Sequence, residues 1–295
     1  MSYEWAALGA ALCWALSSLL AADVSREIGG MAFTRLRVWL GFAMLLCITI
    51  PNGRLAGVPL EDYGLLALSG CIGLALGDGA LFVAFKRLGP RRAQILYTSN
   101  APIAVVLGVL FLGERPSFLT LSGIAAVIVG VVIAVIWGKR LSQIHQWEQI
   151  QGSLLVGCMF GLLSGLGQAL GTLIVKPVLD DGVDPIAAST VRMGAAALML
   201  YMCRHITEKE SGGAKITKTH VLFAAGNSFL AVVVGVSLLL FAFAHGDIGV
   251  ASALSATTPV LVLPLIWLQT KERPAMGAWG GAILAVAGII LIVNF

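Results

Sequence analysis

Charged residues are scarce in this sequence of 295 residues, at 12%, whereas hydrophobic residue types make up 58%. Soluble domains carry about 25% charged residues, and so few charges could not cover a water-exposed surface of this size. The 19 Lys and Arg residues form no run of the kind that binds nucleic acid. The sequence therefore excludes an ordinary soluble protein, predicts no nucleic-acid partner and indicates a protein that lies in lipid.

The motifs of common enzyme and cofactor sites are also absent. The four histidines, His145, His205, His220 and His245, never stand four residues apart, as a zinc-binding H-E-x-x-H requires. No two of the five cysteines have C-x-x-C spacing, and there is no nucleotide-binding G-x-x-x-x-G-K-[ST]. We therefore predict no cofactor, no metal and no enzymatic activity, with an intramembrane enzyme as an alternative.

Long apolar stretches fill most of the sequence. A helix needs about 20 apolar residues to cross a bilayer, and its backbone must be hydrogen-bonded within the segment. No basic region precedes the first stretch, which predicts a retained helix and not a signal peptide. We predict an all-α integral membrane protein of about ten transmembrane helices. Helices 1 to 10 are predicted at 3–22, 31–50, 62–85, 91–112, 116–138, 152–175, 184–203, 220–244, 248–269 and 274–295.

The two halves of the sequence resemble each other. Matching positions lie 155 to 158 residues apart: Arg37/Arg192, Gly77/Gly235, Pro102/Pro259 and Glu114/Glu272. Because each half has an odd number of helices, the second must be inverted relative to the first, as in many secondary transporters. We predict a first five-helix repeat at 1–142, a polar linker at 143–151 and a second repeat at 152–295.

Several short motifs are shared with a known family. They are Trp14-Ala15-Leu16-Ser17 and the helix closures Leu112-Gly113-Glu114-Arg115 and Thr270-Lys271-Glu272-Arg273. With these motifs the chain resembles the EamA family of the drug/metabolite transporter superfamily. The resemblance implies two inverted repeats around a central cavity and a small-molecule substrate. Substrates in the superfamily include amino acids, their derivatives, sugars and nucleotide sugars.

Proton coupling cannot be carried over from the related four-helix multidrug exporters. Those proteins have a carboxylate in helix 1, whereas helix 1 of this chain offers Trp14, Ser17 and Ser18. Asp78, in Gly77-Asp78-Gly79 of helix 3, is the candidate instead. An ionisable group at that depth is costly unless it is paired or hydrated, so it marks a functional site by default. It could bind a substrate amine or a proton, or it could be a structural ion pair.

Further polar and aromatic side chains lie near the middle of the predicted helices. The candidate substrate-binding residues are Trp14, Ser17, Ser18, Asp78, Tyr97, Thr98, Gln168, Asn227 and Ser255. Pro102 and Pro259 cannot donate to the carbonyl four residues earlier, which loosens the backbone near Thr98 and Ser255. Such backbone can bind solute, although Ser and Thr hydroxyls could instead satisfy it.

Lys and Arg residues are distributed unevenly between the two sides of the predicted bundle. Most follow the odd-numbered helices, and this bias places both termini outside the cell. Arg37 and Arg192 lie within helices. The preferred interpretation is that they reach the headgroups, with anion binding as the alternative.

The sequence favours a secondary transporter or exporter of a small polar metabolite, with an amino acid or amino-acid-like compound as the first choice. Two inverted repeats would work by alternating access, with protons as a candidate coupling ion. The expected location is a prokaryotic cell (inner) membrane, with the lipid bilayer around a multi-pass chain. A lipid-linked, sugar or nucleotide-sugar substrate, or a non-transporting accessory subunit, stays open.

Overall fold

The computed structural model describes residues 2–88, 93, 96–137, 153–204, 216–258, 260–261, 264–265, 268 and 275–294. Within these ranges the chain forms helices and turns and no strand. Five described helices are long and apolar enough to cross a membrane, and three shorter helices are also apolar. The helices follow the predicted order, and we number them α1 to α10 accordingly. The all-α prediction is confirmed.

The first repeat contains α1 to α5. Helix α1 covers Tyr3–Ile28 and α2 covers Gly30–Thr49. Helix α3 has three consecutive segments, which are α-helical Asp62–Ser69, π-helical Gly70–Gly77 and α-helical Asp78–Leu88. Helix α4 comprises α-helical Asn100–Leu107 and π-helical Gly108–Leu112, and α5 covers Phe118–Ile136.

The second repeat contains α6 to α10. Helices α6 and α7 cover Leu154–Asp180 and Pro185–Met202. Helix α8 has the segments Lys218–Ser228, Phe229–Val236 and Ser237–His245, of which the middle one is π-helical. Helix α9 covers Ile248–Ser255 and α10 covers Met276–Asn294. The predicted linker at 143–151 lies outside the described residues.

Two helices extend well beyond their predicted ends. Helix α1 continues to Ile28, where Glu27 Oε2 lies 2.7 Å from His220 Nε2 at the start of α8. Helix α6 continues to Asp180 through Pro177, which lacks the N–H that would donate to the Leu173 carbonyl four residues earlier. Hydropathy identifies only the part of a helix that contacts lipid. A prediction based on hydropathy is therefore too short for a helix whose polar ends reach the interface.

The helices of one repeat pack against those of the other in a symmetric pattern. Helices α2 and α7 pack together, as do α4 with α9 and α5 with α10. Helix α1 packs against α8, and in the same way α6 packs against α3. This exchange is what a pseudo-two-fold axis between two inverted repeats produces.

Contacts between helix ends sort the connections onto two faces. On one face, Tyr3 packs against the α8–α9 turn, and Arg54 Nη1 lies 2.7 Å from Asp184 Oδ2, linking the α2–α3 and α6–α7 connections. On the opposite face, Glu27 meets His220. We call these the Tyr3 face and the Glu27 face. Successive helices therefore run in opposite directions, as expected for consecutive helices that each span the membrane.

Small residues pack inside the bundle, and many large apolar side chains point outward. Phe118, Leu222 and Met276 are exposed, whereas much of the buried core consists of alanine and valine. Without a hydrophobic driving force between helices in lipid, small residues allow the close backbone approach that holds such bundles together.

Glycines bring α3 against α6 at the π-helical segment. A Cβ on Gly171 would lie 2.7 Å from the Cα of Gly73, and a Cβ on Gly167 would lie 3.2 Å from the Cα of Gly77. Ser69 Oγ donates to the Gly171 carbonyl at 2.5 Å. The two repeats thus touch through backbone, directly beside Asp78.

Candidate functional site

Asp78 begins the last segment of α3, and side chains from two other helices hold its carboxylate. Arg37 Nη2 of α2 donates to Oδ2 at 2.8 Å, and Gln168 Nε2 of α6 donates to Oδ1 at 3.0 Å. The Arg37 and Asp78 side chains are only 21% and 15% exposed. Because Gln168 belongs to the second repeat, one buried carboxylate connects both repeats.

The structure overturns the preferred sequence interpretation of Arg37. Its guanidinium turns inward to Asp78 and does not reach the headgroups. Charges attract more strongly where the dielectric constant is low, so a buried carboxylate is a better partner than the distant interface. The Arg37 backbone carbonyl also accepts a hydrogen bond from Ser228 Oγ of α8 at 2.7 Å, which fixes α2 at this point.

The chain turns just before α4. Residues Thr98 and Ser99 form a turn between the helical Tyr97 and the start of α4 at Asn100. Pro102 follows four residues after Thr98, and the Thr98 carbonyl accepts a hydrogen bond from the Ala101 N–H at 3.2 Å instead. A Cβ on Gly165 of α6, three residues before Gln168, would lie 3.3 Å from the Tyr97 carbonyl oxygen. Helix α4 therefore begins after a break in the backbone, and Tyr97 lies just before that break.

A matching break follows Ser255 of α9, and helical residues resume at Thr258. A turn at Ala256 and Thr257 follows Ser255, whereas Pro259 lies outside the described residues. Ser255 Oγ donates to the Ser252 carbonyl at 3.0 Å, and Thr257 Oγ1 donates to the Leu254 carbonyl at 2.7 Å. These hydroxyls satisfy the backbone of their own helix.

Helix α1 is joined to α8 by two other predicted residues. Trp14 Nε1 donates to the carbonyl of Ala231, in the π-helical segment of α8, at 3.0 Å. Asn227 Nδ2 donates to the Ser17 carbonyl at 2.9 Å. The Ser18 side chain is outside the part of the chain that the structure describes. Trp14, Ser17 and Asn227 thus form a second contact between the repeats.

The predicted site residues therefore divide into groups. Asp78 and Gln168 come together with Arg37, and Tyr97 lies just before α4, whereas Trp14, Ser17 and Asn227 lie at the α1–α8 contact. Thr98 and Ser255 lie at the two backbone breaks and are buried. Several other side-chain oxygens are buried without a hydrogen-bond partner among the described residues: Ser99 Oγ, Asn100 Oδ1, Ser164 Oγ, Ser189 Oγ, Asn227 Oδ1 and Ser237 Oγ.

Arg192 is the residue whose position the sequence interpretation missed. It is 4% exposed, and its Nε has no hydrogen-bond partner in the described part of the chain. The sequence did contain a signal. Arginine occupies this position in both repeats, but the residue matching Asp78 in the second repeat is Val236.

Two cavities open on the faces. A cavity of about 570 Å³ on the Tyr3 face is lined by Leu112, Gly113, Glu114, Arg115, Lys176, Asp180, His245, Gly246 and Asp247. A cavity of about 280 Å³ lies between α2 and α7 toward the Glu27 face and includes Arg35, Trp39, Tyr201 and Arg204. Among the described residues, no three His, Cys, Asp or Glu side chains are grouped to hold a metal ion.

Glu114 lies in the α4–α5 turn and caps the start of α9. Its Oε1 accepts a hydrogen bond from the backbone N–H of Ile248 at 2.6 Å, where the positive end of the helix dipole favours an acid. Burial raises the pKa of this carboxyl above its usual value of 4.5, against the opposing effect of the backbone N–H groups. The closure motif of the first repeat therefore fixes a helix of the second.

Comparisons with known proteins agree with this architecture. The profile of the EamA-like transporter family matches residues 1–136 and 155–294. A solved crystal structure superposes with a TM-score of 0.78 over 98% of this chain and 95% of that chain, at 17% sequence identity. That likeness shows the fold.

Two curated bacterial relatives match about half of the chain. An uncharacterized transporter of Clostridium kluyveri is 26% identical over 142 residues, which are 48% of this chain and 46% of that protein. The threonine/homoserine exporter RhtA of Escherichia coli (strain K12) is 30% identical over 140 residues, 46% of this chain and 44% of that protein. Each aligned region spans less than half the length of the relative.

Proposed function

The chain belongs to the EamA-like transporter family, and from that membership we propose that it is a secondary transporter that exports a small polar metabolite. A multi-pass membrane protein with a transporter's repeats needs a polar solute site in the bilayer interior. The observation that carries the proposal is the carboxylate of Asp78, which is held between the repeats by Arg37 and Gln168. We also propose that the first repeat covers residues 1–142 and the second covers 152–295, with a linker at 143–151, as the sequence predicted.

The favoured substrate class is an amino acid or an amino-acid-like compound. Arg37, Asp78 and Gln168 offer charges of both signs and an amide within one buried cluster, which suits a zwitterion better than a neutral sugar. The name of the Escherichia coli relative, a threonine/homoserine exporter, supports this class. We assign the chain to a prokaryotic inner membrane because both curated relatives are bacterial.

Alternating access is the proposed mechanism. The backbone breaks in α4 and α9 lie in helices that pack together across the repeats, so small movements there would change access from the two faces. Protons are the proposed coupling ion, with Asp78 as the group that binds them. The transporter has no need of ATP in this scheme.

The experiment is release from proteoliposomes that contain the purified chain and a pool of amino acids, sugars and nucleotides. Mass spectrometry would follow the pool with and without a pH gradient. We expect selective loss of amino-acid-like solutes, and faster loss with the gradient. Protein-free liposomes and the Asp78→Asn variant are the controls.

Other outcomes would contradict particular parts of the proposal. Selective release of sugars or nucleotides would replace the substrate class but keep the transporter. Equal release with and without a gradient would contradict proton coupling. No release of any solute would contradict the proposed function and favour a lipid-linked substrate or an accessory role.

A further inference from the structure

Arg192 is a buried cation for which the described structure shows no counter-ion. It lies in the middle of α7, is 4% exposed, and makes no ion pair with a described acid. Its match in the first repeat, Arg37, binds Asp78 directly. A charge in a membrane interior is unfavourable unless it is paired or hydrated, so an unpaired arginine there indicates a function.

The Arg192 guanidinium lies near a hydrogen-bond acceptor at the contact between α3 and α6. A Cβ built on Gly73 would lie 3.5 Å from Arg192 Nη2 and 3.8 Å from Gln168 Oε1. Gln168 has given its Nε2 donor to Asp78, so its Oε1 acceptor is directed to this side. One helical turn before Arg192, the buried Ser189 hydroxyl also lacks a partner among the described residues.

The charges of this interior do not balance. Arg37 and Arg192 contribute two positive charges and Asp78 contributes one negative charge, which leaves +1 among the charged groups described there. A carboxylate group, with one negative charge, would pair the single charge of Arg192, whereas a phosphate monoester group, with about −1.5 to −2 charges, would exceed it. An arginine fork also matches the two oxygens of a carboxylate.

We propose that Arg192, beside Gly73 and Gln168, is the binding site for the carboxylate of the transported solute. The α-ammonium group of an amino acid bound there would donate to Gln168 Oε1. This inference rests on the proposed function, since it assigns one end of the proposed substrate to one residue. The proposal also explains the difference in charge between the repeats. In the first repeat Asp78 pairs with Arg37, whereas in the second the solute would supply the carboxylate for Arg192.

The test compares release of carboxylates and of their carboxamides from proteoliposomes. The pool contains L-threonine, L-homoserine, their carboxamides, O-phospho-L-threonine and a neutral sugar. We expect wild-type protein to release the two amino acids and to retain the carboxamides and the phosphate ester. Arg192→Gln should reduce release by about tenfold or more, the size expected for loss of a charged hydrogen bond. Arg192→Lys should retain part of the activity, because it keeps the charge without the fork.

A stability measurement separates binding from folding. Removing an unpaired buried charge should leave the melting temperature of the solute-free protein unchanged or raised in Arg192→Gln. Arg37→Gln, by contrast, should lower it, because Asp78 loses its partner. Arg54→Gln, at an exposed ion pair on the Tyr3 face, is the matched control and should retain transport and stability.

Each result has a defined meaning. Equal release of carboxamides and amino acids, or full release by Arg192→Gln, overturns the carboxylate site while the transporter proposal stands. A clear fall in the melting temperature of solute-free Arg192→Gln also overturns the site, because it shows that Arg192 is already paired. No release by wild-type protein overturns the proposed function and the site together.

Discussion

Arg37 and Gln168 both donate to Asp78 in a place where single charges are costly. The carboxylate accepts one hydrogen bond on each oxygen, from different helices and from different repeats. Replacing one member of a buried pair leaves the other charge without compensation, which costs more than the pair itself contributes. We therefore expect the three side chains to act as a unit in stability, as well as in the proposed solute binding.

A double-mutant cycle tests this coupling. Arg37→Gln and Asp78→Asn should each destabilise the detergent-solubilised protein by about 2–4 kcal/mol, since each leaves a bare charge. The double variant should lose clearly less stability than the sum of the two single losses, because neither charge is left without its partner. Thermal unfolding followed by tryptophan fluorescence measures all four proteins. Additive losses would show that the ion pair is not energetically coupled.

Glu114 gives a second prediction at the residue scale, which depends on pH. Because its folded-state pKa is raised by burial, the folded protein favours the protonated carboxyl. The stabilisation is complete below the usual value of 4.5 and is lost as the pH rises through the folded-state pKa. Glu114→Gln, which keeps an acceptor oxygen and removes the charge, should match wild type at low pH and exceed its melting temperature at neutral pH. A constant difference in melting temperature between the two proteins, from low to neutral pH, would contradict the raised pKa.

At the scale of elements, α3 and α8 share an unusual feature. Each contains a π-helical segment of 8 residues between two α-helical segments. Such segments leave carbonyls available to other groups and recur at functional sites. In α8 the Ala231 carbonyl accepts the Trp14 indole, and in α3 the segment ends immediately before Asp78.

Glycine-to-alanine substitutions test the contact between α3 and α6. A Cβ on Gly171 would lie 2.7 Å from the Gly73 Cα, so Gly171→Ala must push two backbones apart. We expect a loss of about 1–3 kcal/mol, as in other overpacked cores, together with weaker transport. Gly64→Ala is the matched control, because its Cβ would meet nothing within 4 Å. Equal melting temperatures for both variants would contradict the close packing.

Sequence patterns predicted the elements better than their interactions. Apolar length and the repeated proline and Glu-Arg closures predicted the order of the helices and the breaks near Thr98 and Ser255. The π-helical segments have the same composition as α-helix in lipid, so no pattern distinguishes them. The direction of the Arg37 side chain depends on which helix lies opposite, and hydropathy contains no such information. Arg192 was misassigned for the same reason.

At the scale of the whole molecule, the inverted repeats are symmetric in backbone and asymmetric in charge. Helices exchange partners across the pseudo-two-fold axis, and both repeats have an arginine at matching positions. Only the first repeat has the acid, Asp78, whereas the second has Val236. The repeats therefore differ in interior charge at this pair of matching positions, and we propose that this difference contributes to solute specificity.

Membrane orientation follows from the distribution of Lys and Arg, which favours a cytoplasmic Glu27 face. In a cysteine-free background, Asn52→Cys on the Tyr3 face should react with a membrane-impermeant maleimide in intact cells. Thr219→Cys, near the start of α8, should react only after the cells are permeabilised. Both positions are exposed, so a difference in labelling reports the side of the membrane. The reverse labelling pattern would show that the termini are inside.

The most direct test of the central claim is solute exchange by wild-type protein and Asp78→Asn in proteoliposomes. Asp181→Asn, an exposed acid in the α6–α7 connection, is the matched control. The measurement follows uptake of labelled L-threonine or L-homoserine against an unlabelled internal pool, at pH 6 and pH 8. We predict exchange by wild type and Asp181→Asn, and none by correctly folded Asp78→Asn at either pH. Wild-type exchange by Asp78→Asn would contradict the assignment of this buried cluster as the transport site.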